Sequence, residues 1–495
     1  MSKFNTTTEN TMKTVNHEGH AAYKMDWRTK LMTMVLTSFF NEEKFYGDNS
    51  EELTSVLKSG IIEDPQFISN LAIFARREFN MRSVSHVIAG YLANIPEGKP
   101  FVKRTVKNIV LRGDDATEIL SFYLNTFGKP IPNSLRKALK EVFPTFDEYT
   151  LAKYKGDSKS VKMRDILCLC RPKPTSPEQS ETWKKLLEGT LPPAYTWETE
   201  LSAKGNKKEV WEELIDSGKV GYMALLRNLR NILQAEPSNL VDVLKKLANP
   251  DAVRKSRQLP FRFLSAYREV PDDLFDSRAV HETLELAAEA AVENLPKIPG
   301  KTVIAIDVSA SMGDRVSQRS SVRCSEIAAL LGLIADRICE RSITFTFDDR
   351  LGVLNTSRSN GLLYSVSHFR ARGGGTDMYL PFEEMMNRKL VADRIIVLSD
   401  NECNYALRNT GHSWYNHLHS TTTVEMLVDK YRREVNPNLW VHAVDLQGYG
   451  TQQFIGDKTN IISGWSEKIF EFITLAEQGE DSLIKRIQNY KAMEE

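Results

Sequence analysis

At 495 residues the chain exceeds what one hydrophobic core accommodates, so two to four domains are expected. Its net charge of +0 and 41% hydrophobic content exclude a wholly basic nucleic-acid binder and fit ordinary globular protein. The neutral total hides a basic stretch, Phe101 to Arg171, with 14 Lys+Arg against 8 Asp+Glu, a local excess suited to meeting phosphate. The five cysteines (Cys168, Cys170, Cys324, Cys339, Cys403) are odd in number and lack metal-ligand spacing, so free thiols in a reducing compartment are expected. No apolar run approaches the ~18 residues of a membrane span, and Met1 to Asn16 lacks a signal-peptide core. A cytoplasmic location follows as the expectation.

Residues 1–25 are polar and read as a flexible arm. Residues 26–295 carry helical periodicity, as at Leu31, Met34 and Val35, or at Phe67, Leu71, Phe74 and Ala75. Asp64-Pro65 reads as an N-cap followed by proline at the first helical position. Further helices are expected at Ser83 to Asn94, Phe101 to Val110, Ala116 to Phe127, Pro132 to Val142, Val161 to Leu169, Lys208 to Ile215, Tyr222 to Leu233, Leu240 to Ala248 and Pro260 to Tyr267. A long series of short paired helices points to an α-solenoid of HEAT-like repeats, whose curved surface suits an extended ligand. After a last helix, Arg278 to Asn294, Pro296, Pro299 and Gly300 mark the boundary. Residues 300–478 then alternate strand and helix, which predicts an α/β doubly wound parallel sheet, and 479–495 close the chain as a helix.

The first strand of that domain, Val303 to Ile306, runs into Asp307-Val308-Ser309-Ala310-Ser311 at the sheet edge where ligands collect. One carboxylate and two hydroxyls alternating there are hard oxygen donors suited to Mg²⁺. Thr376, in Gly373-Gly374-Gly375-Thr376-Asp377, and Asp400, after the strand Arg394 to Leu398, complete an ordered set on later strand ends. Alone, Ser309 and Ser311 would be read as helix caps. The full set resembles the metal-ion-dependent adhesion site (MIDAS) of von Willebrand factor A domains. That resemblance implies direct ligation by Ser309, Ser311 and Thr376, contact through water from Asp307 and Asp400, and one open position for a partner's carboxylate or water. Farther on, His412, His417 and His419 beside Cys403 read as incidental residues of a solvated loop, with soft-metal binding as the alternative.

Several phrases together resemble the TROVE module of the Ro autoantigen ring proteins. They are Asp64-Pro65-Gln66-Phe67, Ala75-Arg76-Arg77-Glu78, Arg82-Ser83-Val84-Ser85-His86-Val87, Met223 to Asn231, Ser256 to Phe263 and Ser399-Asp400-Asn401-Glu402. The resemblance implies a HEAT-repeat ring closed by the A domain, in one chain, without catalytic activity of its own. It further implies a small noncoding (Y-like) RNA on the basic outer surface, the single-stranded 3′ end of a misfolded RNA in the central hole, and a 3′-to-5′ exoribonuclease as partner. The candidates for the outer face are Lys103, Arg104, Lys107, Arg112, Arg136, Lys137, Lys153, Lys155, Lys162 and Arg164, with about half expected to touch RNA. Arg76, Arg77, Arg82, His86, Arg227, Asn228, Arg257 and Gln258 fall in the matching phrases, and either face the hole or fasten helix to helix. The family's helix-opening Ser-His-Lys-Asp is replaced by Val161-Lys162-Met163-Arg164-Asp165, which changes the expected detail of RNA contact. A metal-dependent adhesion or scaffold protein is the other function the sequence supports. No Walker loop, nucleophile elbow or His-Glu-x-x-His motif favours an enzyme.

Overall fold

The computed structural model describes residues 13–15, 21–24, 27–37, 50–156, 159–271, 277–315, 322–355, 360–400, 424–447, 451–452, 454, 458–478 and 480–491. The chain forms two compact units, each assembled from separated stretches: residues 50–243 with 484–495, and residues 1–49 with 244–483.

The first unit is helical, and its helices begin where the sequence supplies caps. Asp64 Oδ1 accepts from the Phe67 N–H at 3.0 Å, Pro65 needs no donor at the first position, and the helix Pro65–Arg77 follows. Phe67, Leu71, Phe74 and Ala75 are fully buried along it. This helix packs on its successor Ser83–Asn94 and on Val102–Ile109. Ser83–Asn94 in turn meets Gly113–Phe127, and Val102–Ile109 meets Asn133–Val142, which meets Met163–Cys170. Stacking on the next-but-one helix is the packing rule of an α-solenoid, in which each pair buries its apolar face on its neighbours. Phe122 lies against Gly90, where a Cβ would come within 2.6 Å of the ring, so two stacked helices approach closely.

Four described helices here were not expected from periodicity: Ser50–Glu63, Glu148–Lys153, capped by Asp147, Pro177–Glu188, capped by Ser176, and Trp197–Lys204, capped by Thr196. The single helix expected over 222–233 is two, Tyr222–Arg227 and Leu229–Ala235. Asn228 breaks it, its side-chain Nδ2 donating to the Ala224 carbonyl at 2.9 Å. The helix Glu480–Gln488 brings its far end back to this unit. Asn70 Nδ2 donates to the Gln488 carbonyl at 2.7 Å, Arg104 donates to the Tyr490 carbonyl at 3.0 Å, and the Tyr490 ring meets Phe74 edge-on at 5.3 Å.

The second unit contains two sheets. In chain order the strands are β1 (Lys13–Val15), β2 (Ala21–Lys24), β3 (Ile298–Asp307), β4 (Cys339–Phe347), β5 (Leu351–Val353), β6 (Arg394–Ser399), β7 (Trp440–Asp445), β8 (Thr451–Gln452) and β9 (Thr459–Ser463). The small sheet, β1-β2-β8, is antiparallel. It takes up part of the stretch expected to be a flexible arm, because backbone pairing needs no apolar sequence. The large sheet runs β5-β4-β3-β6-β7-β9 and is parallel except for β5. That edge strand departs from the all-parallel expectation because Asp348-Asp349-Arg350 makes a tight return, with Asp348 Oδ1 accepting from the Arg350 N–H at 2.8 Å.

Both faces of the sheet are covered, which is why β3 and β6 read as continuous apolar runs. Val303, Ala305, Phe345, Ile395 and Val397 share a core with Phe382, Met385 and Tyr431, from the helices Tyr379–Asn387 and Val424–Glu434. On the other face the helix Cys324–Ile338 comes so close that a Cβ on Gly332 would stand 2.4 Å from Ile306 Cδ1.

This unit also takes in helices from both ends of the expected repeat array. Trp27–Thr37 packs on β9 and on Ile469–Ala476. Phe261, opening Pro260–Arg268, donates its N–H to Glu467 Oε1 at 2.5 Å and meets Trp465 edge-on at 5.0 Å. In Ser277–Val292, Glu285 accepts from the N–H groups of Leu363 and Tyr364 at 3.0 and 2.6 Å, and Glu289 pairs with Arg337 at 2.8 Å. The change from helix to strand near 296–300 is therefore a boundary of secondary structure, while the packing boundary falls earlier, at residue 244.

Candidate metal and nucleic-acid sites

β3 ends at Asp307, which is completely buried beside the end of β6. Its Oδ1 accepts from the Ser309 N–H at 2.8 Å and its Oδ2 from the Ser399 hydroxyl at 2.6 Å. The Ser309 and Ser311 hydroxyls stand 3.3 Å apart, and Ser311 alone of the two is partly open to solvent. The glycine-rich loop is tied to the same edge. Ala310 N–H donates to the Gly374 carbonyl at 3.1 Å, and Arg372 and Gly373 N–H groups donate to the Val308 carbonyl at 2.9 and 3.2 Å. Gly373 and Gly374 have φ of +87° and +94°, a conformation that favours glycine and carries Thr376 into the buried edge.

Two carboxylates, Asp307 and Asp400, are both nearly inaccessible here. Burial and the neighbouring Asp400 charge push Asp307 up to about 7, against the hydrogen bonds from Ser309 and Ser399. A divalent cation beside such a pair would offset its two charges. Among the described residues no group of three or more His, Cys, Asp or Glu converges on one point. The set is oxygen-only and poor in charge, and it fits Mg²⁺ better than a thiophilic metal. Cys403, His412, His417 and His419 lie outside the described residues, so the soft-metal alternative has no geometry to report.

The residues taken from the matching phrases separate into two groups. Arg76, Arg82 and His86 surround Asp115, which is wholly buried: Arg76 Nη2 at 3.2 Å, Arg82 Nε at 2.5 Å and His86 Nε2 at 3.1 Å. Leu111 and Arg112 N–H groups add two hydrogen bonds at 2.9 Å each. Burial alone would raise the Asp115 pKa, but the contacts and charges of His86 and Arg82 prevail and hold it far below the carboxylate range. Arg76 also donates to the Ile109 carbonyl, and Arg77 to the Asn108 carbonyl at 3.0 Å. Asn228 is buried between the two short helices it separates, and half-buried Gln258 donates to the Ser256 carbonyl at 3.1 Å. In these positions the side chains fasten helix to helix or hold a turn. Arg227 and Arg257 are exposed, the latter at φ +53°.

Of the outer-face candidates, Arg104 is committed to Asn70 Oδ1 at 2.6 Å and to the Tyr490 carbonyl, which makes it a fastener of the C-terminal segment. Lys103, Lys107, Arg112, Arg136, Lys137, Lys153 and Arg164 are exposed, while Lys155 and Lys162 are half-buried. Lys103 pairs with Glu141 at 2.7 Å and Arg136 donates to Asn133 Oδ1 at 2.7 Å, both in solvent. Lys162 N–H donates to Asp165 Oδ2 at 2.8 Å as its helix begins, beside the buried Met163. Sequence reasoning did not single out Tyr149 and Tyr154, which stand among these cations. Their signal is the interleaving of aromatic and basic residues in Tyr149-Thr150-Leu151-Ala152-Lys153-Tyr154-Lys155.

A TROVE domain family model matches residues 28–194 and 189–282, together more than half of the chain, and a Ro60 vWA domain model matches 301–422. Telomerase protein component 1 of Rattus norvegicus is 29% identical over 41% of this chain, and RNA-binding protein RO60 of Caenorhabditis elegans 28% identical over 40%. The chain spans 11% of the rat protein and 32% of the worm protein. A crystal structure of the Deinococcus radiodurans Ro (RSR) protein superimposes with a TM-score of 0.65 over 92% of this chain and 100% of that one, at 18% identity, a likeness of fold. On these matches the chain belongs to the TROVE-domain family, its helical repeats followed by a von Willebrand factor A domain of the Ro60 kind.

Proposed function

We propose that the protein binds noncoding RNA without acting on it chemically. The observation that carries this proposal is membership of the TROVE family over more than half the chain, with exposed Lys and Arg remaining on the helices between 101 and 171. Those cations meet the phosphates of a structured, Y-like small RNA. A single-stranded 3′ end of a misfolded RNA enters the hole of the ring expected for the family, because an unpaired strand passes where a duplex does not. An exoribonuclease supplied in trans then degrades or trims what is held, in the cytoplasm.

Ser309, Ser311, Thr376, Asp307 and Asp400 hold Mg²⁺, whose charge offsets the buried carboxylates and whose open position takes a partner's oxygen. This is also the seat of the second function, metal-dependent adhesion to another protein, which the buried Asp307–Asp400 pair favours. Binding of a hairpin RNA with a 3′ tail, compared with the blunt hairpin across a salt series, tests the first. Preference for the tail with a steep salt slope, unchanged by chelator, is the expected result. Absence of any affinity at low salt would leave adhesion as the function.

A further inference from the structure

On the helical unit, the short helix Glu148–Lys153 carries Tyr149, which is 57% exposed. An aromatic ring in that position contributes little to the core. Lys153 Nζ lies 5.8 Å from the Tyr149 ring centroid and 5.4 Å from that of Tyr154. Arg112 Cζ lies 5.4 Å from the Tyr154 ring, and its Nη2 donates to the Tyr154 hydroxyl at 3.1 Å. The platform is firmly seated. Asp147 Oδ1 accepts from the Thr150 N–H at 2.8 Å, and the helix approaches Gly113 so closely that a Cβ there would stand 2.6 Å from Thr150 Cγ2 and 3.0 Å from Tyr154 Cδ2.

We propose that Tyr149 and Tyr154, with Lys153 and Arg112 beside them, form a stacking site for an unpaired base of a bound single-stranded RNA segment. The proposal rests on the RNA-binding function above and adds to it a place where the ligand must be unpaired. Magnitudes favour a base as the occupant. Stacking a base on an aromatic ring contributes more than an exposed cation–π contact does. A base therefore displaces Lys153 from the Tyr149 face, and the freed ammonium turns to the adjoining phosphate. A duplex offers no base face to the ring and gains only the charge contact.

The test uses the full chain and a short single-stranded RNA carrying 2-aminopurine at one position at a time, with a blunt duplex as control. Tyr149 is exposed, so Tyr149→Ala and Tyr149→Phe should both melt as the unsubstituted protein does. Expected is quenching of one labelled position by the unsubstituted protein and by Tyr149→Phe, and loss of that quenching in Tyr149→Ala. The alanine variant should bind single strand about 5- to 150-fold more weakly with an unchanged salt slope, and duplex as before. Equal single-strand affinity of Tyr149→Ala and the unsubstituted protein, or Tyr149→Phe binding as weakly as Tyr149→Ala, would overturn the stacking site while leaving RNA binding intact. Failure of the unsubstituted protein to bind either RNA at low salt would overturn both.

Discussion

Asp115 holds the first helices of the solenoid together by accepting from two backbone N–H groups and facing three basic side chains with no access to water. Asp115→Asn keeps the shape but removes the charge, leaving the buried Arg76 without its carboxylate and Arg82 with Asp114 alone, at 2.8 Å. A loss of about 3 kcal/mol is expected in urea unfolding, far more than for an exposed pair such as Lys103–Glu141. In the other unit Glu477 accepts from Arg394 at 2.6 and 2.9 Å and from His442 Nε2 at 3.0 Å, while Asn460 Nδ2 donates to His442 Nδ1 at 3.0 Å. Both imidazole nitrogens are thus satisfied in the neutral ring, and burial lowers the His442 pKa. Burial would raise Glu477, but its bonds to His442 and Arg394 prevail and bring it from 4.5 to about 2. The unfolded chain binds that proton more readily, so stability is present above about pH 5 and is lost as pH falls toward 2. The loss amounts to about 3 kcal/mol, and Glu477→Gln should abolish that part of the pH slope. The arginines and histidine of the first TROVE phrases were legible in the sequence as a set apart. Their partner was not, because Asp115 lies in a different helix and only tertiary packing brings it to them.

Elements were most legible where cap and periodicity agreed, as at Asp64-Pro65, and least where a side chain competed with the backbone. Asn228 splits an apolar run that reads as one helix, and the Asp348 turn folds β5 back antiparallel after a strand that otherwise resembles its parallel neighbours. The positions of Asp307 and Asp400 at strand ends could be read in advance because a buried parallel strand shows its end as an abrupt change from apolar to polar residues. The helix behind that edge offers a test of how finely it is held. Gly332→Ala places a methyl 2.4 Å from Ile306 Cδ1, one residue before Asp307. Overpacking should cost about 1–3 kcal/mol in unfolding and lower Mg²⁺ affinity as well, read by calorimetric titration. A stability loss with unchanged Mg²⁺ affinity would show that the strand end absorbs the strain.

For the whole molecule, Mg²⁺ is expected to act as a stabiliser of the unit that holds it. At a hundred times its dissociation constant it should add roughly 2.7 kcal/mol, seen as a rise in melting temperature that chelator reverses and Asp307→Ala removes. The nesting of the two units could not be read from the sequence, since composition does not change at residue 244 and the short C-terminal helix resembles many others. That nesting orders the birth of the protein. The ribosome begins one unit, completes most of the other, returns to the first for the sheet, and only then issues the segment whose carbonyls at Gln488 and Tyr490 receive Asn70 and Arg104. Until that segment emerges, Arg104 holds Asn70 within its own helices, and its second bond, to the Tyr490 carbonyl, waits on the returning chain. The repeat array is therefore synthesised well before it is fastened, and residues 484–491 are the clasp that reaches it last of its described parts.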